Sequence, residues 1–195
     1  MKRAAELERK TKETQIRIKV DLDGSARCDV HTGIGFFDHM LTLFGVHGLL
    51  DLSIQAEGDI QVDMHHTVED VGLVLGEALS RALGDRKSIC RYGQALIPMD
   101  DALAEVAIDL SNRPYLRMLM PESLPRQTDF DVSLAQEFFR ALAFKAGMNL
   151  HIRVAYGDNW HHMIEAVFKG VARALRQAGS PDSRVAGIPS SKGSL

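Results

Sequence analysis

Between Ile16 and Val20, apolar residues fall on every second position, with Arg17, Lys19 and Asp21 in the alternate places. That is the period of a strand buried on one face. Asp23-Gly24 predicts a turn, and Ala26 to Val30 is expected to return as its partner strand. Gly33-Ile34-Gly35 breaks the alternation, and Phe36, Phe37, Met40, Leu41 and Phe44 then follow helical spacing. Leu50 to Ile54 alternates again, and Glu57-Gly58-Asp59 is expected to turn into a short strand, Ile60 to Val62. Val68, Val71, Leu75 and Leu79 give a further helix to about Leu83, stopped by Gly84. Residues 1–12 are polar and expected to be frayed.

From Tyr92 the same order recurs. Ala95 to Met99 and Ala104 to Leu110 predict strands, with Asn112-Arg113-Pro114-Tyr115 breaking the second and Leu116 to Met120 forming another. The polar stretch Pro121 to Asp129 predicts a loop. Val132 to Ala146 predicts a helix, Leu150 to Val154 a strand, and Tyr156-Gly157-Asp158-Asn159 a turn. Ile164, Val167, Phe168, Val171 and Leu175 mark a last helix to about Gln177, ahead of a Gly-, Ser- and Pro-rich tail of the kind that is ordinarily disordered. Helix, strand, turn and helix thus occur twice in one order, an internal duplication. The halves are 1–91, with an N-terminal arm, and 92–195, with a C-terminal tail. The expected fold is α/β (α+β), each half a small mixed or antiparallel sheet with helices on one face.

Composition narrows the classes. The chain of 195 residues is 45% hydrophobic and carries a net charge of −3, enough for one globular unit or two small fused ones. No basic face or polybasic run points to nucleic acid. No apolar run approaches a membrane span, and the N-terminus lacks the apolar core of a signal peptide. Cys28 and Cys90 have the spacing of neither a disulfide framework nor a zinc ribbon, so free thiols and a cytoplasmic setting are expected.

The candidate chemistry lies where the two predicted metal-type helices begin. Both open on H-H-x-x-E, His65-His66-Thr67-Val68-Glu69 and His161-His162-Met163-Ile164-Glu165. Residues four apart share a helix face, so His65 pairs with Glu69 and His161 with Glu165. The second histidines, His66 and His162, are turned away by about 100°. One helix therefore feeds two metal sites. The halves also carry His39 and Glu137 ahead of their H-H pairs, each in a helix among Phe and Leu. A pseudo-twofold arrangement then suggests one site of His39, His66, His161 and Glu165, and a mirror site of Glu137, His162, His65 and Glu69. Mixed imidazole and carboxylate donors suit Mn²⁺, Fe²⁺ or Zn²⁺, with open positions for catalysis. An isolated histidine is ordinarily a surface or satisfied core residue, and His31, His47 and His151 are placed in that class. The matched pair of motifs is a different matter.

These motifs, with Thr11-Lys12-Glu13-Thr14, Gly35-Phe36-Phe37-Asp38-His39-Met40-Leu41, Arg91-Tyr92-Gly93, Asn112-Arg113-Pro114 and Ile188-Pro189-Ser190-Ser191-Lys192-Gly193, closely resemble the imidazoleglycerol-phosphate dehydratase family of histidine biosynthesis. The resemblance covers nearly the whole chain. Many family members carry His at the position of Glu137, and carboxylate can replace imidazole on Mn²⁺. The resemblance implies a ribosomal protein S5 domain 2-like repeat, a monofunctional hydro-lyase, two Mn²⁺ per active site and an assembly of 24 identical subunits. It implies that Arg91, Arg113, Ser190, Ser191 and Lys192 bind the substrate phosphate, their donors being suited to it. It makes Glu13 a candidate substrate contact or proton-transfer group.

The implied reaction dehydrates D-erythro-imidazole-glycerol phosphate to imidazole-acetol phosphate, through an imidazolate held by two Mn²⁺ ions and a diazafulvene. Glu13, Glu69 and Glu165 are the candidate acid–base residues. A dinuclear hydrolase would use similar ligands, but no motif marks a scissile-bond pocket. A metal-storage protein would not need Arg91, Arg113 and Lys192 as a phosphate-binding set.

Overall fold

The computed structural model describes residues 2–121, 130 and 132–195, with the side chain of Val132 excepted. The predicted loop from Pro121 to Asp129 lies outside the described residues beyond Pro121 itself. The first half runs β1 (Ala4–Lys10), β2 (Thr14–Asp21), β3 (Cys28–His31), α1 (Gly35–Gly48), β4 (Asp51–Gly58) and α2 (His65–Leu83). The second repeats it as β5 (Tyr92–Met99), β6 (Ala102–Asp109), β7 (Tyr115–Leu119), α3 (Val132–Ala146), β8 (Asn149–Tyr156) and α4 (Trp160–Gly179). The two four-stranded sheets have matching orders, β1-β2-β4-β3 and β5-β6-β8-β7.

Strand alternation sets the layers. Ile16, Ile18 and Val20 on β2 and Leu52 and Ile54 on β4 are buried, and the residues between them face outward. β6 and β8 repeat this with Ala104, Val106 and Ile108, and Leu150, Ile152 and Val154. Each sheet packs its buried face on the helices of its own half, and α1 packs on α4 as α2 packs on α3. Four helices thus lie between two sheets. Phe138, Phe139 and Phe168 pack together in this layer, and Phe37, edge-on to Phe138, joins them to Phe36, Phe130 and Trp160. Burying each such ring removes enough apolar surface to contribute about 2–3 kcal/mol.

Three expectations need correction. Residues 4–10 are not frayed but form β1, paired antiparallel along its length with β2. Main-chain bonding to a neighbouring strand holds this polar segment, which supplies only half-buried Ala5 and Leu7 to the core. The segment after Asp23-Gly24 does not pair with β2. β4 takes that edge, and β3 joins the far side of β4 in parallel. Asp51 enforces the detour by accepting the backbone N–H groups of Ser25 and Arg27. Ile60 to Val62 is a turn closed by Val62 N–H to the Asp59 carbonyl, with Val62 exposed.

The halves are joined by more than a linker. Buried Arg86 donates to the carbonyls of Ala146 and Gly147, closing the C-terminus of α3. The tail is held as well, since Cys90 N–H donates to Ser180 and Ser88 N–H to Gly187. No described helix is long and apolar enough to cross a membrane.

Candidate metal centre

Asn159 starts α4 by accepting the His161 N–H with its side chain, an N-cap that fixes the rotation of the first turn. His161 and Glu165 then face the same way, with His161 Nε2 3.0 Å from the Glu165 carboxylate. From the other half, α1 brings His39 Nε2 to 3.5 Å from the same carboxylate. Donor atoms of His39, His161 and Glu165 all lie within 4.8 Å of one another, and among the described residues this is the sole such group of three His, Cys, Asp or Glu. Each half contributes to it.

The cluster is asymmetric in depth. Glu165 is 6% exposed, whereas the rings of His39 and His161 are about half exposed, so the centre opens to the surface. Burial raises the Glu165 pKa, but the Lys169 ammonium at 2.5 Å and then His161 outweigh it and hold the carboxyl below its usual range. An ionised carboxylate with two imidazoles is a fitting donor set for Mn²⁺, Fe²⁺ or Zn²⁺.

The mirror position is built differently. Glu137 sits as far ahead of Gly147, the left-handed residue after α3, as His39 sits ahead of Leu49 after α1, so the two are equivalent. His65 Nε2 is 3.7 Å from Glu69. Arg140 pairs with Glu137 and lies 3.8 Å from Glu69. A cation thus bridges the two carboxylates that the sequence pairs as ligands.

His66 and His162 point away from both groups, as their place on the helix requires. Neither of the four-residue sets is complete within one chain. His66 Nδ1 lies 3.0 and 3.2 Å from the oxygens of Asp59, and His162 Nδ1 bonds Asp101. Each carboxylate raises the pKa of its histidine. His31, His47 and His151 stand outside the cluster.

Of the predicted phosphate residues, Arg91 and the tail come together, because Arg91 Nη1 donates to the Pro189 carbonyl at 2.7 Å. Asp109 holds the other end of that guanidinium at 2.7 and 3.1 Å. Ser190 accepts the Lys192 N–H at 3.2 Å, and Ser191 is exposed. No hydrogen bond or ion pair links Arg113 or the Lys192 side chain to Arg91 among the described residues. Glu13 is exposed in the β1–β2 turn, where its carbonyl accepts the Asp59 N–H. Thr11 pins the turn by accepting the N–H groups of Glu13 and Thr14, and Thr14 donates to buried Asp70 on α2.

The sequence pattern alone does not mark Asp59, Asp70, Asp101, Arg140 or Lys169 as part of the site. Lys169 and Arg140 carried a usable signal, four residues after Glu165 and three after Glu137 on the same helix faces. Asp101 carried none.

The family model for imidazoleglycerol-phosphate dehydratase matches residues 32–175, spanning both halves and every residue of the cluster. The chain belongs to the imidazoleglycerol-phosphate dehydratase family. Members of that family are enzymes of the hydro-lyase class. The dehydratase of Desulfosudis oleivorans is 57% identical over 100% of both chains, and that of Acetivibrio thermocellus 51% identical over the same shares. The crystal structure of the Staphylococcus aureus dehydratase matches with a TM-score of 0.82 at 40% identity, over 91% of this chain and 99% of that one. The Pyrococcus furiosus dehydratase, solved in complex with (S)-C348, matches with a TM-score of 0.84 at 38% identity, over 97% and 100%. The duplicated sheet-and-helix architecture is thus that of the dehydratase family.

Proposed function

We propose that this chain removes water from D-erythro-imidazole-glycerol phosphate to give imidazole-acetol phosphate in histidine biosynthesis. The observation that carries the reading is the His39–His161–Glu165 cluster, assembled from both halves of a chain that belongs to this family. The half-repeats are taken as residues 1–91 and 92–195, each supplying one H-H-x-x-E helix. His39, His161 and Glu165 hold one Mn²⁺, and His65, Glu69 and Glu137 contribute to a second. His66 and His162 complete sites on neighbouring subunits of a homo-oligomer of 24. When bound, two Mn²⁺ ions favour the anionic form of the substrate imidazole by lowering the cost of losing its N–H proton.

The substrate chemistry then needs little more than one well-placed carboxylate. The hydroxyl on the carbon next to the ring leaves with its bonding pair as the ring becomes a neutral diazafulvene. Loss of the neighbouring C–H proton gives an enol, which tautomerises to the ketone, so one water is released in all. Glu13 is the best placed group for the proton transfers, being exposed on the turn beside His66. Glu165 is buried and held by Lys169, and Glu69 lies between His65 and Arg140. Arg91, Arg113, Ser190, Ser191 and Lys192 anchor the phosphate, Arg91 through the two N–H groups that Asp109 and Pro189 leave open. The biosynthetic family and the two free thiols, Cys28 and Cys90, support a cytoplasmic setting.

A coupled assay for imidazole-acetol phosphate, with and without added Mn²⁺, tests this directly. Product formation that depends on Mn²⁺ is expected. No product from the phosphorylated substrate at any metal loading would overturn the reading.

A further inference from the structure

The two histidines that turn away from the cluster share an arrangement. His66 Nδ1 faces both oxygens of Asp59 at 3.0 and 3.2 Å, and His162 Nδ1 bonds Asp101 Oδ1. An ionised carboxylate only accepts, so in each ring, when neutral, Nδ1 carries the hydrogen and Nε2 keeps its lone pair. His162 Nε2 has the largely exposed Asp100 at 3.5 Å, beyond an ordinary hydrogen bond. Both aspartates are themselves fixed. Asp101 Oδ2 accepts the N–H groups of Asp158 and Asn159 at 2.5 and 2.8 Å, and the Asp59 backbone is bonded to Glu13 and Val62.

The carboxylates come from places that the duplication does not relate. Asp59 follows β4, whereas Asp101 lies in the β5–β6 turn. The first-half counterpart of that turn joins β1 to β2 and carries Glu13. Its carboxylate makes no hydrogen bond or ion pair among the described residues. In one half the turn acid holds the histidine, and in the other it is left open.

We propose that Asp59 and Asp101 are positioning residues that lock His66 and His162 as Nε2 metal donors, and that Asp59, by taking this task, leaves Glu13 free for the substrate. The inference rests on His66 and His162 being Mn²⁺ ligands. Outer carboxylates of this kind orient a ligating imidazole and typically change metal affinity 10–100-fold.

The test is Mn²⁺ affinity of the full-length assembled protein, measured by equilibrium dialysis. Asp59→Ala is expected to weaken binding about 10–100-fold at the affected sites, with Asp59→Asn in between because its amide oxygen still accepts. Asp101→Asn serves for the second half: its amide oxygen can still accept the two loop N–H groups, but its NH2 then faces His162 Nδ1 and can no longer hold Nδ1–H, so a loss of about 10–100-fold is expected there too. On a His66→Ala background, Asp59→Ala should cause no further loss, and Glu13→Ala alone should leave affinity unchanged. If His66→Ala itself binds Mn²⁺ normally, the ligand reading fails and this inference with it. If His66→Ala loses metal while Asp59→Ala does not, or if the two losses add, the ligand reading stands and the positioning role is overturned. A Glu13→Ala loss equal to that of Asp59→Ala would show that the turn acid is not free.

Discussion

Glu137 holds the place of His39 in the second half, where Arg140 pairs with it and also lies 3.8 Å from Glu69. On the proposed reading Glu137 and Glu69 are donors to one Mn²⁺, with Arg140 the cation beside them. Glu137→Ala is therefore expected to lose about half the bound Mn²⁺, one site of two, while Glu137→His keeps it by restoring a neutral donor. Elemental analysis of the purified variants decides this, and full occupancy in Glu137→Ala would remove Glu137 from the ligand set. The His-Glu pairs were legible in the sequence because both members lie on one turn of one helix, where spacing alone fixes their relation. Asp59 and Asp101 were not, because no local period ties a turn aspartate to a histidine on another element. Their partnership exists only once β4 and the β5–β6 turn are folded against the helix starts.

Elements show the same divide between local and non-local information. The strands of the interior announced themselves by alternation, but β1 did not. Its inward positions include Ala5, Leu7 and Arg9, and Arg9 reaches buried Asp70 rather than the apolar core. Sequence proximity favours a hairpin of β2 with β3, whereas Asp51 redirects the chain and β3 joins β4. Asp51 is held well below the usual carboxylate range, first by Arg27 and then by the Ser25 and Arg27 amides. A depressed carboxyl stabilises the fold above its unfolded pKa of about 3.9, and that contribution fades as pH falls below it. Urea midpoints of wild type and Asp51→Asn should accordingly differ at pH 6, with the gap beginning to narrow near pH 4 and shrinking progressively as the pH is lowered further. A gap that stays constant with pH would refute the electrostatic origin. At the C-terminus of α3, Arg86→Met removes two charge-assisted bonds to the Ala146 and Gly147 carbonyls. It should lose about 2–3 kcal/mol, a fall of roughly 5–10 °C in calorimetric Tm. Between α2 and α3 the helices approach so closely that a Cβ on Gly72 would stand 2.7 Å from the Phe138 carbonyl oxygen. Gly72→Ala should then lose about 1–3 kcal/mol by forcing them apart, whereas an unchanged Tm would mean that the pair slides freely.

At the scale of the whole molecule, the decisive fact is what one chain fails to bring together. The cluster of His39, His161 and Glu165 opens at the surface, and His66, the fourth member of its predicted set, lies elsewhere on Asp59. His162 likewise sits on Asp101, away from His65, Glu69 and Glu137. Asp59 and Asp101 hold these two rings away from the groups they are predicted to join, so within one chain neither four-residue set is closed. A second copy of the chain can supply the missing ring. If the proposed sites are shared in this way, metal binding contributes directly to subunit association, because separating the partners would release the ion. Chelation of Mn²⁺ should therefore yield smaller oligomers by analytical ultracentrifugation, and restoring Mn²⁺ should bring back both size and activity. A mixture distinguishes shared from private sites more sharply. His65→Ala and His162→Ala each spoil the same predicted site from a different helix, so each is expected to be inactive alone. If sites are shared between chains, reassembling the two together creates some sites with His65 from one chain and His162 from the other, and part of the activity returns. Metal-free protein of unchanged size, together with a mixture as inactive as its components, would place every ligand of a site within a single chain.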